Sequence, residues 1–279
     1  PPPAPPARPT PADPPPSPAM PPSDPVDAVK AAARVRNFSR KTGEVYSGWV
    51  RRFLEHSAKA GDQAGEPEIV AFLTALAVQG RVSAGTQNQA LNAILFYFKA
   101  VQRREIGALE NIVRAHRPKR LPVVLAKDEV RRILGVMHGA PKLMAGLLYG
   151  SGLRLMECCR LRVKDLDWAQ NQLVVRAGKG DKDRYTTLPS GLRDSLQKHL
   201  VSVKTQHEGD LARGLGRVEL PNALARKYPN AAKEWGWQWV FPATSHYVDE
   251  QTGERRRHHL HESVLQRAFR EARLAAGVA

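Results

Sequence analysis

The sequence predicts a mainly α-helical fold with a small β-hairpin, an α+β class. Two observations carry this. Apolar residues recur at helical spacing through most of the chain, and one segment, around 172–188, switches to β-rich runs on either side of a Gly-rich turn. At 279 residues and 42% hydrophobic content, the chain can bury a sizeable core, and its patterning divides it into two domains.

Residues 1–25 hold 14 of the 22 prolines and almost no large apolar side chain. Such a segment cannot offset the entropy of its own ordering and is expected to be disordered or loosely polyproline-like. Met20 precedes the first segment expected to fold and is expected to be the natural start of translation. A helical domain is predicted over 26–112. In "SRKTGEVYSGWVRRFLEHS", Ser39 caps a helix whose Tyr46, Trp49, Val50, Phe53 and Leu54 share one face. In "EPEIVAFLTALAVQG", Pro67 takes the first turn and Gly80 the stop. In "SAGTQNQALNAILFYFKAVQRRE", Leu91, Ile94, Leu95, Phe98 and Val101 make one stripe. These helices form a small bundle with its aromatics in the core.

Residues 113–124 read as a basic linker, in which prolines break periodicity among Arg114, Arg117, Lys119 and Arg120. Such a stretch suits a phosphate backbone and equally a solvated hinge. The second domain is predicted over 125–279. "KDEVRRILGVM", "PKLMAGLLYG" and "LRLMECCRLRVKDLDW" read as three helices, and "NQLVVRAGKGDKDRYTTLP" as a hairpin with strands at 172–177 and 184–188. "LRDSLQKHLVSVKTQ" returns to helix. Residues 208–262 cluster Trp, Tyr, His and Pro, with Trp239 and Phe241 entering a core-like apolar run, and "HESVLQRAFREARLAAG" is a last helix.

Charge narrows the partner. The chain carries 43 Lys and Arg against 27 Asp and Glu, a net charge of +16. That surplus favours a polyanion, most often nucleic acid, over a merely Arg-rich composition. Apolar runs such as "LPVVLA" and "AILFYF" fall far short of the roughly 20 residues of a membrane span, and no basic-then-apolar secretory leader is visible. Cys158 and Cys159 are adjacent, which fits neither a disulfide framework nor a CxxC zinc site and points to a reducing cytoplasm. "HHLH" (258–261) stands without another ligand cluster, so no metal is expected.

Arg154 follows the Gly-Ser-Gly turn of "LLYGSGLRLMECCRLRVKDLDW". An arginine held there can present a bidentate fork to a phosphate, and Lys179 at the Gly-flanked hairpin tip can approach the same group from another side. An arginine in such a place serves an internal ion pair about as often as a ligand, and a turn lysine is usually solvated.

Together with "VVRAGKGDKDRYTTLP", that segment resembles the first half of the catalytic domain of tyrosine recombinases, the site-specific DNA integrases. "LPNALARKYPNAAKEWGWQWVFPA" and "RRRHHLHESVLQRAFREARLAAG" are similar to the insertion and following helix of the integron integrase branch, and "RVRNFSRKTGEVYSGWVRRFLEHS" resembles the family's core-binding domain. The resemblance spans about 27–279. It implies a SAM-like core-binding domain followed by a partial recombinase domain with an aromatic-rich insertion at about 208–262. It matches Arg154 to the first catalytic arginine, Lys179 to the catalytic lysine, and Glu157 to an acidic position supporting the arginine. It also implies DNA contacts by Lys182, Arg184, Arg117, Lys119 and Arg120, and contacts to unpaired bases by Trp237, His258 and His259. In the family a tyrosine attacks the DNA phosphate to give a 3′-phosphotyrosyl link, arginines stabilise the pentacoordinate phosphorus, and the lysine protonates the leaving 5′-oxygen, with no cofactor or metal. The implied partners are double-stranded and folded single-stranded recombination sites, with a homotetramer on paired sites in the full-length protein and a bacterial cytoplasmic location.

The family's His-x-x-Arg pair, second histidine and nucleophilic tyrosine have no match. None of the nine histidines has an arginine three residues on, and Tyr46, Tyr97, Tyr149, Tyr185, Tyr228 and Tyr247 sit in other contexts. The expectation is a catalytic domain incomplete at its C-terminus that does not cut DNA. Two readings follow: an incomplete integron-type recombinase, or a non-catalytic DNA-binding module on the same folds.

Overall fold

The computed structural model describes residues 24–58, 64–106, 123–176, 178, 182–221, 224–250 and 252–278. It divides into two compact units, Pro1–Leu121 and Pro122–Ala279. The expectations for 1–23, including a start at Met20, lie outside the described residues, as does most of the basic linker.

The described part of the first unit is four helices: α1 (Pro25–Val35), α2 (Arg40–His56), α3 (Glu66–Val78) and α4 (Ala84–Ala100). Pro25, the last proline of the N-terminal run, is the first residue of α1. Its missing N–H is no loss there, and Asp24 caps the helix by accepting from the Val26 N–H at 2.8 Å. Ser39 and Ser83 cap α2 and α4 through the Thr42 and Thr86 N–H groups, each such cap being worth about 1 kcal/mol. Of the stripe residues, Val50, Phe53, Leu91, Ile94 and Phe98 are buried, and Phe72 of α3 joins them. Tyr46 and Trp49 flank this core only partly buried, and the Arg52 guanidinium covers the Trp49 ring at 4.5 Å.

In the second unit α5 (Lys127–Val136) and α6 (Gly139–Ser151) precede a short α7 (Leu155–Cys159). A three-stranded antiparallel sheet follows, β1 (Leu166–Asp167), β2 (Gln172–Val175) and β3 (Arg184–Thr187), with Val175 opposite Arg184. Next come α8 (Arg193–Ala212), the short α9 (Leu224–Lys227), a second antiparallel hairpin of β4 (Pro242–Val248) and β5 (Arg255–His259), and α10 (Glu262–Ala275). α10 packs on α5, α6 and α7 over a core containing Ile133, Met144, Leu147, Cys158, Leu173, Leu196 and Phe241. No helix among the described residues is long and apolar enough to cross a membrane.

One expectation needs correction. "LRLMECCRLRVKDLDW" is not one helix. It leaves α7 at Arg160 because Leu161 accepts a backbone hydrogen bond from Val240 at 2.8 Å and Arg162 bridges Trp239, so pairing with a distant segment overrides local helical preference. α8 runs to Ala212, into the range assigned to the insertion. Residues 208–262 contain the β4–β5 hairpin, and Trp235–Trp237 form a 3-10 turn.

Candidate active site

The turn before Arg154 is built by two glycines with separate tasks. Gly152 adopts φ 63°, the left-handed cap of α6, and donates its N–H to Leu148 O at 3.1 Å. A Cβ at Gly150 would collide with the Pro189 ring, so the glycine lets the chain leaving β3 lie against α6. Between them, the Ser151 carbonyl accepts from the Thr186 hydroxyl at 2.6 Å, tying β3 to the turn.

Arg154 therefore enters α7 beside the sheet, and Glu157 fixes it. The Glu157 carboxylate accepts from the Arg154 backbone N–H at 2.8 Å and from Arg154 Nη1 at 2.6 Å. The same carboxylate accepts both terminal nitrogens of Arg184 on β3, at 2.8 and 2.7 Å. The side chain of Glu157 is 10% exposed and that of Arg154 56% exposed, so the acid is a covered anchor and the arginine projects to solvent. The hydrogen bonds from Arg184, then those from Arg154, outweigh burial and hold the Glu157 carboxyl at a pKa of about 2. It stays ionised across the physiological range.

Arg154 and Glu157 lie on the wall of a cleft of about 720 Å³. Arg154, Arg160, Lys164 and Arg176 line the cleft together with Trp237, Trp239, His258 and His259 from the 208–262 segment. The arginine matched to phosphate chemistry and the aromatics matched to unpaired bases thus face one space. The insertion wall is held from within. The Gln238 side chain donates to the carbonyls of Gly216, Ala232 and Glu234 at 3.2–3.3 Å. Asp210 on α8 takes two nitrogens of Arg257 on β5 at 2.8 and 2.6 Å.

The remaining expected residues fall as follows. Trp237 is half-buried, with the Lys164 ammonium 2.9 Å from its ring centroid. His258 is exposed and sits edge-on to Tyr247, ring centroids 5.8 Å apart. His259, expected as a base contact, lines the cleft but is 4% exposed and packed edge-on to Trp239, and burial pushes its pKa down to about 4. Arg184, expected on DNA, pairs its fork with Glu157, because the register of β3 sets it beside α7, and its side chain stays 36% exposed. Lys182 is exposed at the hairpin, its carbonyl accepting from the Gly178 N–H at 3.1 Å. Lys179, Arg117, Lys119 and Arg120 lie outside the described residues.

Comparison with known proteins agrees in kind. Residues 26–108 match the model of the phage integrase N-terminal SAM-like domain, and residues 123–279 match that of the phage integrase family. An integrase/recombinase of Escherichia coli is 43% identical over 246 residues, which cover 88% of this chain and 73% of that protein. The chain belongs to the phage integrase family of tyrosine recombinases. Another relative, the tyrosine recombinase XerA of Thermococcus onnurineus, is 34% identical over 165 residues, 58% of this chain and 56% of its own. In fold, the chain is similar to XerH bound to a palindromic difH substrate (TM-score 0.57, 18% identity, 91% of this chain and 68% of that one). It is likewise similar to a lambda integrase(75-356) dimer bound to a core site (TM-score 0.57, 16% identity, 91% and 81%).

Sequence reasoning missed three residues in this phage-integrase cleft: Arg162, Asp165 and Arg176. Arg162 donates to the carbonyls of Trp237 and Glu219, and Asp165 accepts from Arg176 at 2.8 Å. The only local signal was the basic cluster "RLRVKD", which says nothing about backbone acceptors far along the chain.

Proposed function

We propose that this chain acts in site-specific DNA recombination of the integron integrase type, on cassette sites presented as folded single strands. The observation that carries the reading is the shared cleft, in which Arg154, braced by Glu157, faces the same space as Trp237 and His258. A guanidinium held by a carboxylate yet open to solvent is suited to a scissile phosphate. Rings a short way off can stack bases displaced from a stem, each stack being worth about 1–3 kcal/mol. Lys179, on the hairpin tip, is the proposed proton donor to the leaving 5′-oxygen. The 279 residues supply recognition and half of the phosphate grip, and bind without cleaving, since none of them matches the family's tyrosine nucleophile or second arginine.

The DNA-bound XerH and lambda integrase structures, among them a lambda integrase tetramer on a Holliday junction, support DNA as partner and a tetramer on paired sites for the whole recombinase. A gel shift at fixed salt tests the reading. A DNA hairpin with two unpaired bases should bind more tightly than the same stem as an uninterrupted duplex. Equal affinity would remove the integron-type reading, and a covalent protein–DNA adduct on a nicked substrate would remove the claim of binding without cleavage.

A further inference from the structure

Arg162 carries no part of the reading above, yet its surroundings differ from those of a surface arginine. It is 9% exposed. Nη1 donates to the Trp237 carbonyl at 2.6 Å and Nη2 to the Glu219 carbonyl at 2.7 Å, partners 75 and 57 positions away. The guanidinium Cζ lies over the Trp239 ring at 3.8 Å from its centroid and 5.5 Å from that of Trp237. Only a planar fork can meet two diverging carbonyls and stack on a ring at once; an ammonium cannot.

Its backbone is tied to the opposite wall. The Arg162 N–H donates to Asp165 Oδ2 at 3.1 Å, and Asp165 Oδ1 accepts from Arg176 Nε at 2.8 Å. Arg176 directly follows β2 at the root of the Gly-rich tip. Arg162 thus stands between the hairpin that carries Lys179 and the insertion that carries Trp237. Each of its two terminal nitrogens donates to a backbone carbonyl within the protein, so the fork is tied to the Glu219 and Trp237 segments.

We propose that Arg162 is a positioning residue that sets the insertion wall, through the Trp237 and Glu219 carbonyls, at the spacing from Arg154 that a stem with an unpaired base requires. The proposal rests on the integron-type reading. It predicts a loss of discrimination, not a general loss of DNA affinity, because the wall would shift while the phosphate-facing cations stay.

The test uses the 279-residue chain, a DNA hairpin with two unpaired bases and the matching duplex. Arg162→Lys and Arg162→Met should both weaken hairpin binding by about fivefold or more, the low end of one lost base stack, while duplex binding stays within about twofold. Lysine should fare no better than methionine, since geometry and not charge is at stake. With 5-fluorotryptophan incorporated, Arg162→Lys should shift the 19F lines of Trp237 and Trp239 and leave Trp49, in the first unit, unmoved. If Arg162→Met does not fold, Arg162→Lys, which retains the charge and most of the stem, carries the test. Wild-type hairpin preference in Arg162→Lys, or parallel loss on hairpin and duplex, would overturn the proposal. A Trp237→Ala arm separates the two claims. If Trp237→Ala loses the preference and Arg162→Lys keeps it, only the positioning role fails; if Trp237→Ala keeps it, the base-contact reading fails and takes this proposal with it.

Discussion

Glu157 and Arg184 form a two-point ion pair, 2.8 and 2.7 Å long, between residues 27 positions apart. The pair joins β3 to α7 and leaves the same carboxylate free to accept Arg154 Nη1 at 2.6 Å. A long side chain 56% exposed would otherwise sample many rotamers. The carboxylate removes much of that freedom before any phosphate arrives, lowering the entropy lost on binding.

Arg184→Lys should therefore act on stability and on Arg154 together. A lysine offers one point charge where the fork offers two parallel donors. The expected cost is about 1–2 kcal/mol in urea unfolding, discounted for the partial exposure of Arg184. DNA affinity should fall less than in Arg154→Ala, because the arginine is loosened and not removed. An unchanged urea midpoint would show that the pair contributes nothing to the fold.

Acid should weaken the second unit in two overlapping windows. The His259 pKa is depressed to about 4 by burial, below the ordinary histidine value of 6.5, so the unfolded chain takes up that proton first. Its contribution is present above pH 6.5 and is lost as pH falls through 4. Glu157 is depressed from 4.5 to about 2, so its contribution is complete above 4.5 and is lost on the way down to 2. Urea midpoints measured from pH 7 to 3 should decline first through the histidine window. His259→Gln should flatten the upper part of the profile, and Glu157→Gln the lower; a profile that neither variant alters would contradict these assignments.

Legibility in the sequence followed the range of the interaction. Val50, Phe53, Ile94 and Phe98 reveal their helices because an amphipathic stripe is written within a few residues, and the Gly-rich tip marks the β2–β3 hairpin for the same reason. Glu157 was matched to Arg154 only through the family resemblance, and the structure places its carboxylate 2.8 Å from the Arg154 backbone N–H. The ion pair of Arg184 with Glu157 had no local signal because its partner is on another element. "RRRHH" shows no apolar alternation, so nothing local marked it as β5; the strand exists because Arg257 meets Asp210 and the Trp239 Nε1–H reaches the Arg257 carbonyl at 3.1 Å. Arg162 was invisible for a further reason, since its acceptors are backbone carbonyls, which every residue has.

DNA affinity should fall steeply with salt. If the chain contacts six or more phosphates, counterion release predicts a loss of roughly 10³-fold between 50 and 200 mM salt. Arg154→Ala should reduce the slope of log affinity against log salt by about one phosphate, equally on hairpin and duplex. Trp237→Ala should leave the slope unchanged, because a stacked ring releases no counterion. A flat profile for the wild-type chain would remove phosphate gripping from the account.

The Asp210–Arg257 pair anchors the insertion wall, and its loss should be costly out of proportion to one contact. Asp210 is 1% exposed; besides Arg257 it accepts from Arg213 at 2.6 Å and lies 3.3 Å from His246 Nε2. Burial disfavours its charge, but Arg257 and then Arg213 outweigh that and keep the carboxyl ionised. Arg257→Met would leave this carboxylate buried beside weaker partners and strip the Ala243 and Thr244 carbonyls of a donor, at about 3–5 kcal/mol. Asp210→Leu alone should cost a similar amount by stranding Arg257. The double variant should be far less destabilised than the sum, because neither charge is then left without its partner. Additive losses in a double-mutant cycle by urea unfolding would mean the two residues act through separate contacts. Since β5 also carries His258, the single variants should lose hairpin preference before they lose duplex binding, as the wall loosens while Arg154 and its Glu157 brace stay in place.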